Sequence, residues 1–394
     1  MRSFLFFDNA STTRCCEAAS QALQQFAIET YGNPSSSHEL GQQAAKAIRE
    51  ARLFFANSFH IKPEQILFTG SGSEADNLAV YGVALAAKSR KVPSPRVLVS
   101  SIEHPAVKKT AQSLADFGID VQLIPVDHNG QIILEKFLEL LTPSTILVSI
   151  QRVNNIMGAI LPVEELAALA KQKVPGVVFH TDAIQAFGKI SVPIAPSAVD
   201  LVSISGHKVE GPKGVGALIV LNKALVTPGP NALRPLIWGG DHEGGFRSGS
   251  QNAGLIAGFH LGARQMLERQ ERQHAHVTEL RSRLKEGITA RALPLRWNSP
   301  DDATPHIVNL SFPGYPSGPF AKLLEERGCL VSTGSACHSQ KVEPDAVLAA
   351  LGLAREAQTS AIRISFSDSL QLKDVDALIQ AMDESIRLIK QLLA

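Results

Sequence analysis

Between about residues 65 and 222, short apolar runs alternate with helix-length amphipathic patterns, and this alternation constrains the chain more than any other feature. The runs at 65–69, 96–101, 121–125, 146–150, 177–180, 201–204 and 217–221 read as strands; 74–87, 106–117, 134–141 and 163–171 between them read as helices. Such a pattern predicts a wrapped α/β sheet that is mostly parallel, because parallel neighbours need a crossover and a helix supplies it. Ligands of such sheets gather beyond the carboxyl ends of the strands. A single long helical pattern from 252 to about 288 then leads away from the sheet. After Pro294 the pattern turns α+β, with strands at 307–312 and 361–366 and helices at 320–327 and 372–393. We expect a large α/β domain over 14–260 and a smaller α+β domain formed by 261–394 with 1–13.

Composition narrows the function classes. A chain of 394 residues, 44% hydrophobic and 19% charged, can bury a large core and has room for two or three domains. Its net charge of +1 gives no footprint for nucleic acid or an anionic membrane surface. The apolar stretch after Met1 is too short for a signal peptide, and no run is long enough to span a bilayer. Four cysteines make no disulfide framework in a chain this long and fit a reducing compartment, so a cytoplasmic protein is expected. No CxxC or HExxH spacing supports a metal site.

Two strand ends carry the first chemical signal. Val177-Val178-Phe179-His180-Thr181-Asp182 presents a carboxylate where an apolar strand stops, and the run ending Ser205-Gly206-His207-Lys208 presents an amine after another. An acid and an amine on neighbouring strand ends suit pyridoxal phosphate (PLP). The lysine holds the cofactor aldehyde as a Schiff base, and the acid keeps the pyridine nitrogen protonated. A lone lysine beside a glycine turn is usually only a surface residue; its company here argues otherwise.

Other segments supply that company. Thr69-Gly70-Ser71-Gly72-Ser73-Glu74 follows a strand and opens a helix, an arrangement that cradles phosphate as well as merely capping a helix. His104 follows a strand and can lie over a cofactor ring, although a histidine there is more often structural. Asn154, Asn155 and Gln185 carry amides suited to a ring hydroxyl and a substrate carboxylate. Arg363, inside an apolar strand, needs an anion: a substrate carboxylate or one of the chain's own acids. Cys337 lies among small polar residues, with His338 beside it, as a poised nucleophile would. Cys329 reads as a small buried hydrophobe.

Together these segments closely resemble the cysteine desulfurases, a branch of the class V aminotransferase group within fold type I PLP enzymes. The likeness runs from Asp8-Asn9-Ala10-Ser11-Thr12-Thr13 through Tyr31–Ser36, the Thr69 cradle, Glu103-His104, Val153-Asn154-Asn155, His180–Ala183 with Gln185, the Lys208 run, Arg247-Ser248-Gly249-Ser250 and the Cys337 loop to Arg363. The long cysteine loop is similar to the iron–sulfur-assembly type (group I). The resemblance implies a fold type I PLP-dependent transferase. Lys208 would hold PLP, Asp182 would pair with the pyridinium, His104 would stack on the ring, and Gln185 would meet the phenolic oxygen. Gly72, Ser73, Ser205 and His207 would bind the phosphate, with Ser250 contributed by a partner subunit of a homodimer. Asn155 and Arg363 would take the carboxylate of L-cysteine, and Cys337 would accept its sulfur as a persulfide for a downstream acceptor protein serving iron–sulfur clusters or tRNA thiolation.

Three departures from that pattern bear on substrate range and partner. Ile156 stands where an acid is usual. Gly239-Gly240-Asp241-His242-Glu243-Gly244-Gly245 gains an acid and lacks an arginine. The sequence also ends at Ala394 without the longer tail expected for scaffold docking. The resemblance extends to selenocysteine lyases, which do the same chemistry on selenium. Other class V activities and a non-catalytic PLP-fold partner protein are further alternatives.

Overall fold

The computed structural model describes residues 4–333 and 345–393. The first strand, β1 (Leu5–Phe6), is followed by two helices, α1 (Glu17–Ile28) and α2 (Glu39–Ser58). The alternating region then folds as β2 (Ile66–Thr69), α3 (Gly72–Ser89), β3 (Arg96–Ser100), α4 (Pro105–Ser113), β4 (Asp120–Ile124), α5 (Leu134–Leu140), β5 (Thr145–Ser149), α6 (Val163–Lys173), β6 (Val178–Asp182), β7 (Leu201–Ser205) and β8 (Gly216–Val220). These seven strands, β2 to β8, form one sheet in the order β2-β8-β7-β6-β5-β3-β4. Only β8 opposes its neighbours; the pairs β7–β6, β6–β5, β5–β3 and β3–β4 are parallel. The mostly parallel sheet expected from the sequence is present.

Burial explains the near-continuous apolar strands. β5, β7 and β8 are buried along their whole length, covered on both faces as a parallel sheet must be. One face packs on α3, where Ala75, Leu78, Ala79, Val80 and Val83 meet Leu67, Val97, Val99 and Leu218. The other face meets Ile48 and Phe55 of α2, Leu166 and Ala167 of α6, and Phe259.

The expected single helix over 252–288 is two: α7 (Ala253–Glu268) and α8 (Gln270–Ala290). Arg269 leaves helical geometry between them, at φ −114° and ψ 9°. Its guanidinium pairs with Glu210 and Asp368, so ion pairs hold the break.

The remaining elements are β9 (Arg296–Trp297), β10 (Ile307–Ser311), α9 (Ser317–Glu326), β11 (Cys329–Leu330), β12 (Ser332–Thr333), α10 (Ala346–Ala350), α11 (Arg355–Thr359), β13 (Ala361–Ser365) and α12 (Leu372–Leu393). β12-β13-β10-β9 form an antiparallel sheet, and β1 pairs in parallel with β11. A separate apolar cluster joins Phe7 to residues from Val277 to Ile386, including Leu280, Phe312, Phe320, Ile364, Leu378 and Met382. The chain beyond β1 continues this association. Asp8 bridges Ser365, Asn9 Nδ2 donates to Ser365 O at 3.1 Å, and Ala10 N donates to Ser365 Oγ at 2.8 Å.

Candidate active site

A cavity of about 330 Å³ opens at the carboxyl ends of the central strands. Asp182 ends β6, and Lys208 lies three residues past β7 on a short turn, which puts acid and amine on opposite parts of one wall. Asp182 Oδ1 accepts from Ile184 N at 2.8 Å. Lys208 Nζ donates to the carbonyls of Ala10 and Ser11, both at 2.6 Å. Burial, helped by the charge of Arg363 and opposed by Asp182 and Asp8, brings the Lys208 amine down to about 8. A buried amine near that value is partly neutral at physiological pH, as a nucleophile or base must be.

Ser71, Gly72 and Ser73 form another part of the lining, while Thr69 and Gly70 just before them line the smaller neighbouring cavity. Ser71 caps α3, its Oγ accepting from Glu74 N at 3.1 Å. Glu74 holds the loop from below: its Oε2 accepts from Gly70 N at 2.8 Å, and Arg247 Nε donates to its Oε1 at 2.8 Å. A Cβ on Gly216 of β8 would fall 2.6 Å from the carbonyl carbon of Ser71 and 2.7 Å from the nitrogen of Gly72. Only glycine lets β8 lie flush beneath the loop. Ser71, Gly72 and Ser73 at the positive end of α3 share the cavity with Ser205 and His207.

His104 begins α4, where its Nδ1 accepts from Ala106 N at 3.1 Å. The ring proton is therefore on Nε2. Burial lowers its proton affinity; Asp182 opposes that shift and Lys208 adds to it. The two neighbouring asparagines separate. Asn154 is buried and committed to the backbone, donating to Ile102 O and accepting from Ile156 and Met157 N, whereas Asn155 lines the cavity. Gln185 lines it too, with Nε2 donating to Ala10 O at 2.8 Å.

Arg363 of β13 is 6% exposed and reaches the same cavity from the antiparallel sheet. Its NH1 donates to Asn155 O at 2.9 Å, and its NH2 to Asp8 Oδ1 at 2.8 Å and Ser11 Oγ at 2.6 Å. The internal ion pair that the sequence left as an alternative is thus present. Nε remains buried without a hydrogen bond among the described residues.

Gly72, Ser73, His104, Asn155, Asp182, Gln185, Ser205, His207, Lys208 and Arg363 are brought together; Ser250 is not. Ser250 is exposed and lines a smaller neighbouring cavity with Arg247 and Glu243. Cys337 lies outside the described residues. Cys329 is fully buried, and burial, then Asp374, raises its thiol to about 11. Among the described residues no group of His, Cys, Asp and Glu could hold a metal ion. No helix among them is long and apolar enough to cross a membrane.

Sequence reasoning missed several groups. Asp76 of α3 is fully buried, its oxygens without a close hydrogen bond among the described residues, and His180 Nε2 lies 3.7 Å from its Oδ1. Glu103, buried beside His104, accepts from Gln151 N at 2.7 Å. Both carboxyls are raised well above the usual range, by burial first, with Asp182 adding to each. For Asp76 the one available signal was an acid set in an otherwise apolar helix face; Glu103 stood in the sequence only as the neighbour of His104. Ile156, where the pattern has an acid, is buried in the main apolar cluster.

The donor set fits PLP: a buried amine, a buried carboxylate, a flat neutral imidazole, and a helix N-terminus with small hydroxylic residues around one cavity. Comparison with known proteins agrees. The family described as Aminotransferase class-V matches residues 5–378. A cysteine desulfurase IscS of Clostridium botulinum (strain Hall) is 33% identical over 390 residues, covering 98% of this chain and 95% of that protein. A solved NifS-like protein superposes with a TM-score of 0.89 at 32% identity, covering 98% of this chain and all of that one. SspA, solved in complex with cysteine, gives 0.78 at 31% identity over 92% of this chain and 98% of that one. The chain belongs to the class V aminotransferase family, and within it to the cysteine desulfurases.

Proposed function

We propose that the cavity binds PLP on Lys208 and that the protein converts L-cysteine to L-alanine, leaving the sulfur on Cys337. The observation that carries this reading is the convergence of Lys208, Asp182, His104, the α3 cradle and Arg363 on one cavity. When bound, PLP supplies a carbonyl that joins amines covalently and a ring that draws electrons from the substrate carbon.

The chain's own residues do the rest. Asp182 keeps a proton at the ring nitrogen. Ser71, Gly72, Ser73, Ser205 and His207 hold the phosphate. His104 covers the ring with a neutral imidazole. Lys208, partly neutral at physiological pH, would take the Cα proton and return a proton later. Asn155 and Arg363 orient the substrate carboxylate, for which Arg363 must share or exchange its bond to Asp8. At Cys337 the thiolate attacks the substrate sulfur and the carbon–sulfur bond breaks. One cysteine thiol and one substrate thiol become a persulfide and a methyl group, with atoms and electrons balanced.

In this division of labour the cofactor belongs to residues 14–260, the cysteine loop to 1–13 with 261–394, and the substrate clamp is shared, Asn155 coming from the first and Arg363 from the second. Ser250, exposed on this chain, is available to a partner's phosphate site in a homodimer. The sulfur would pass from Cys337 to an acceptor protein that serves iron–sulfur clusters or tRNA thiolation. Purified protein given L-cysteine should yield alanine and persulfide sulfur in equal amounts. Cys337→Ala should keep the cofactor and release none; turnover at the parent rate in that variant overturns the persulfide route. Running selenocysteine alongside separates the desulfurase from a selenium-specific lyase.

A further inference from the structure

Lys189 has no part in the chemistry above, yet it is buried one turn beyond Gln185, at 5% exposure. Its surroundings are cationic. Lys208 and Arg363 both act on it, and the buried His306, which bonds Thr304 Oγ1 through Nδ1, feels its charge in turn. Burial and those two cations bring the amine down to about 7. The described residues provide it with one hydrogen-bond partner, the Oε1 of Gln185 at 3.4 Å.

That contact decides how the Gln185 amide is turned. A lysine amine carries protons to give, and the carbonyl of Ala10 can only accept. Ala10 O, 2.8 Å away, requires the amide nitrogen, and the amide oxygen then faces Lys189, which has N–H groups to donate to it at 3.4 Å whether charged or neutral. The amide nitrogen has two N–H groups. One goes to Ala10 O, which also accepts from Lys208. The second is left for the cavity that Gln185 lines.

We propose that Lys189 is a positioning residue: by donating to Gln185 Oε1 it prevents the amide from turning over, so that Gln185 presents a donor and not an acceptor to the anionic oxygen of the cofactor ring. The proposal rests on the reading of the cavity as a PLP site. It predicts a spectroscopic consequence. A donor on that oxygen, and positive charge nearby, both weaken the hold of the cofactor–Lys208 linkage on its proton. Losing them should strengthen it.

The test is the visible absorption of the full-length, PLP-loaded protein as a function of pH. Lys189→Met, close in length and unable to donate, should raise the midpoint by about one pH unit, a tenfold gain in proton affinity. Gln185→Ala should shift it the same way, and the double variant no further than the larger single shift. Lys189→Arg, which restores a donor, should bring the midpoint back toward the parent. If Lys189→Met does not fold, Lys189→Ala carries the same expectation. An unmoved midpoint in a folded, loaded variant assigns Lys189 to packing and overturns the proposal. Loss of the band from a folded variant also overturns it, since it would place Lys189 on the cofactor itself. A parent protein without a visible band after PLP addition rejects the cofactor reading instead.

Discussion

The two sides of the cavity use burial in opposite ways. On one side Asp182 raises the proton affinity of Asp76 and Glu103, and Glu103 that of Asp76, on top of the larger effect of burial on all three. On the other, Lys208 and Lys189 sit with Arg363, and burial with mutual repulsion strips protons from the amines. Carboxyls whose proton affinity is raised and amines whose affinity is lowered both move toward their neutral forms, so the interior carries less net charge than the residue types imply. The cavity is polarised without holding several uncompensated ions. A flat ring with a basic nitrogen at one end and anionic oxygens at the other matches that polarity.

Breaking each side in turn sharpens the contrast. Lys208→Ala should have the largest effect, lowering turnover at least about 10³-fold, because the covalent anchor and the base are one group. Borohydride followed by peptide mapping checks it: the parent should carry the cofactor on Lys208 and the variant nowhere. Asp182→Asn comes next. It keeps the shape and removes the charge, and turnover should fall roughly 10²-fold with the cofactor still bound. Equal turnover in that variant would mean that the acid side plays no part in catalysis.

Two stability measurements on cofactor-free protein should then show opposite pH signs. Lys189 has a folded value of about 7 against an ordinary 10.5. Between those values the unfolded chain takes up a proton that the folded chain does not, so this amine destabilises the fold increasingly as pH falls from 10.5 to 7. Lys189→Met should therefore stabilise the apoprotein, on the order of 2 kcal/mol near pH 7, and much less at pH 10. Asp76 is raised, so its cost grows as pH rises above 3.8. Asp76→Asn should therefore stabilise the apoprotein at neutral pH and gain nothing near pH 3. Urea melts across pH decide both; parallel slopes would contradict the contrast. Cys329→Ala touches neither side and should cost roughly 1 kcal/mol of stability with turnover unchanged.

How much of this could be read from the sequence follows from what each residue's signal depends on. Lys208, Asp182 and His104 were legible because strand ends and turn residues are local, and the cavity had to lie beyond those ends. The Ser71–Ser73 cradle was legible for the same reason. The carbonyls of Ala10 and Ser11, which hold Lys208, carry no side-chain signal at all. Asp76, Glu103 and Lys189 look like ordinary polar residues until the fold buries them. The break at Arg269 was hidden because its partners, Glu210 and Asp368, are remote in sequence. Arg363 gave half of its answer: its burial was legible, its pairing with Asp8 was not.

The segment from Asp8 to Ser11 sets an order of events during synthesis. It supplies the carbonyls for Lys208 and Gln185, and it is itself held by Arg363 and Ser365, more than 350 positions later. At about 5–20 residues per second, a ribosome needs on the order of twenty seconds to a minute or more to deliver the second partner after the first. Until then the parallel sheet can form and bury its faces, with the segment that carries those carbonyls held from the sheet side, by Gln185 and by Thr13 bonded to His207, but not yet by Arg363 and Ser365. A nascent chain should thus acquire its large core early and the final setting of Lys208 last.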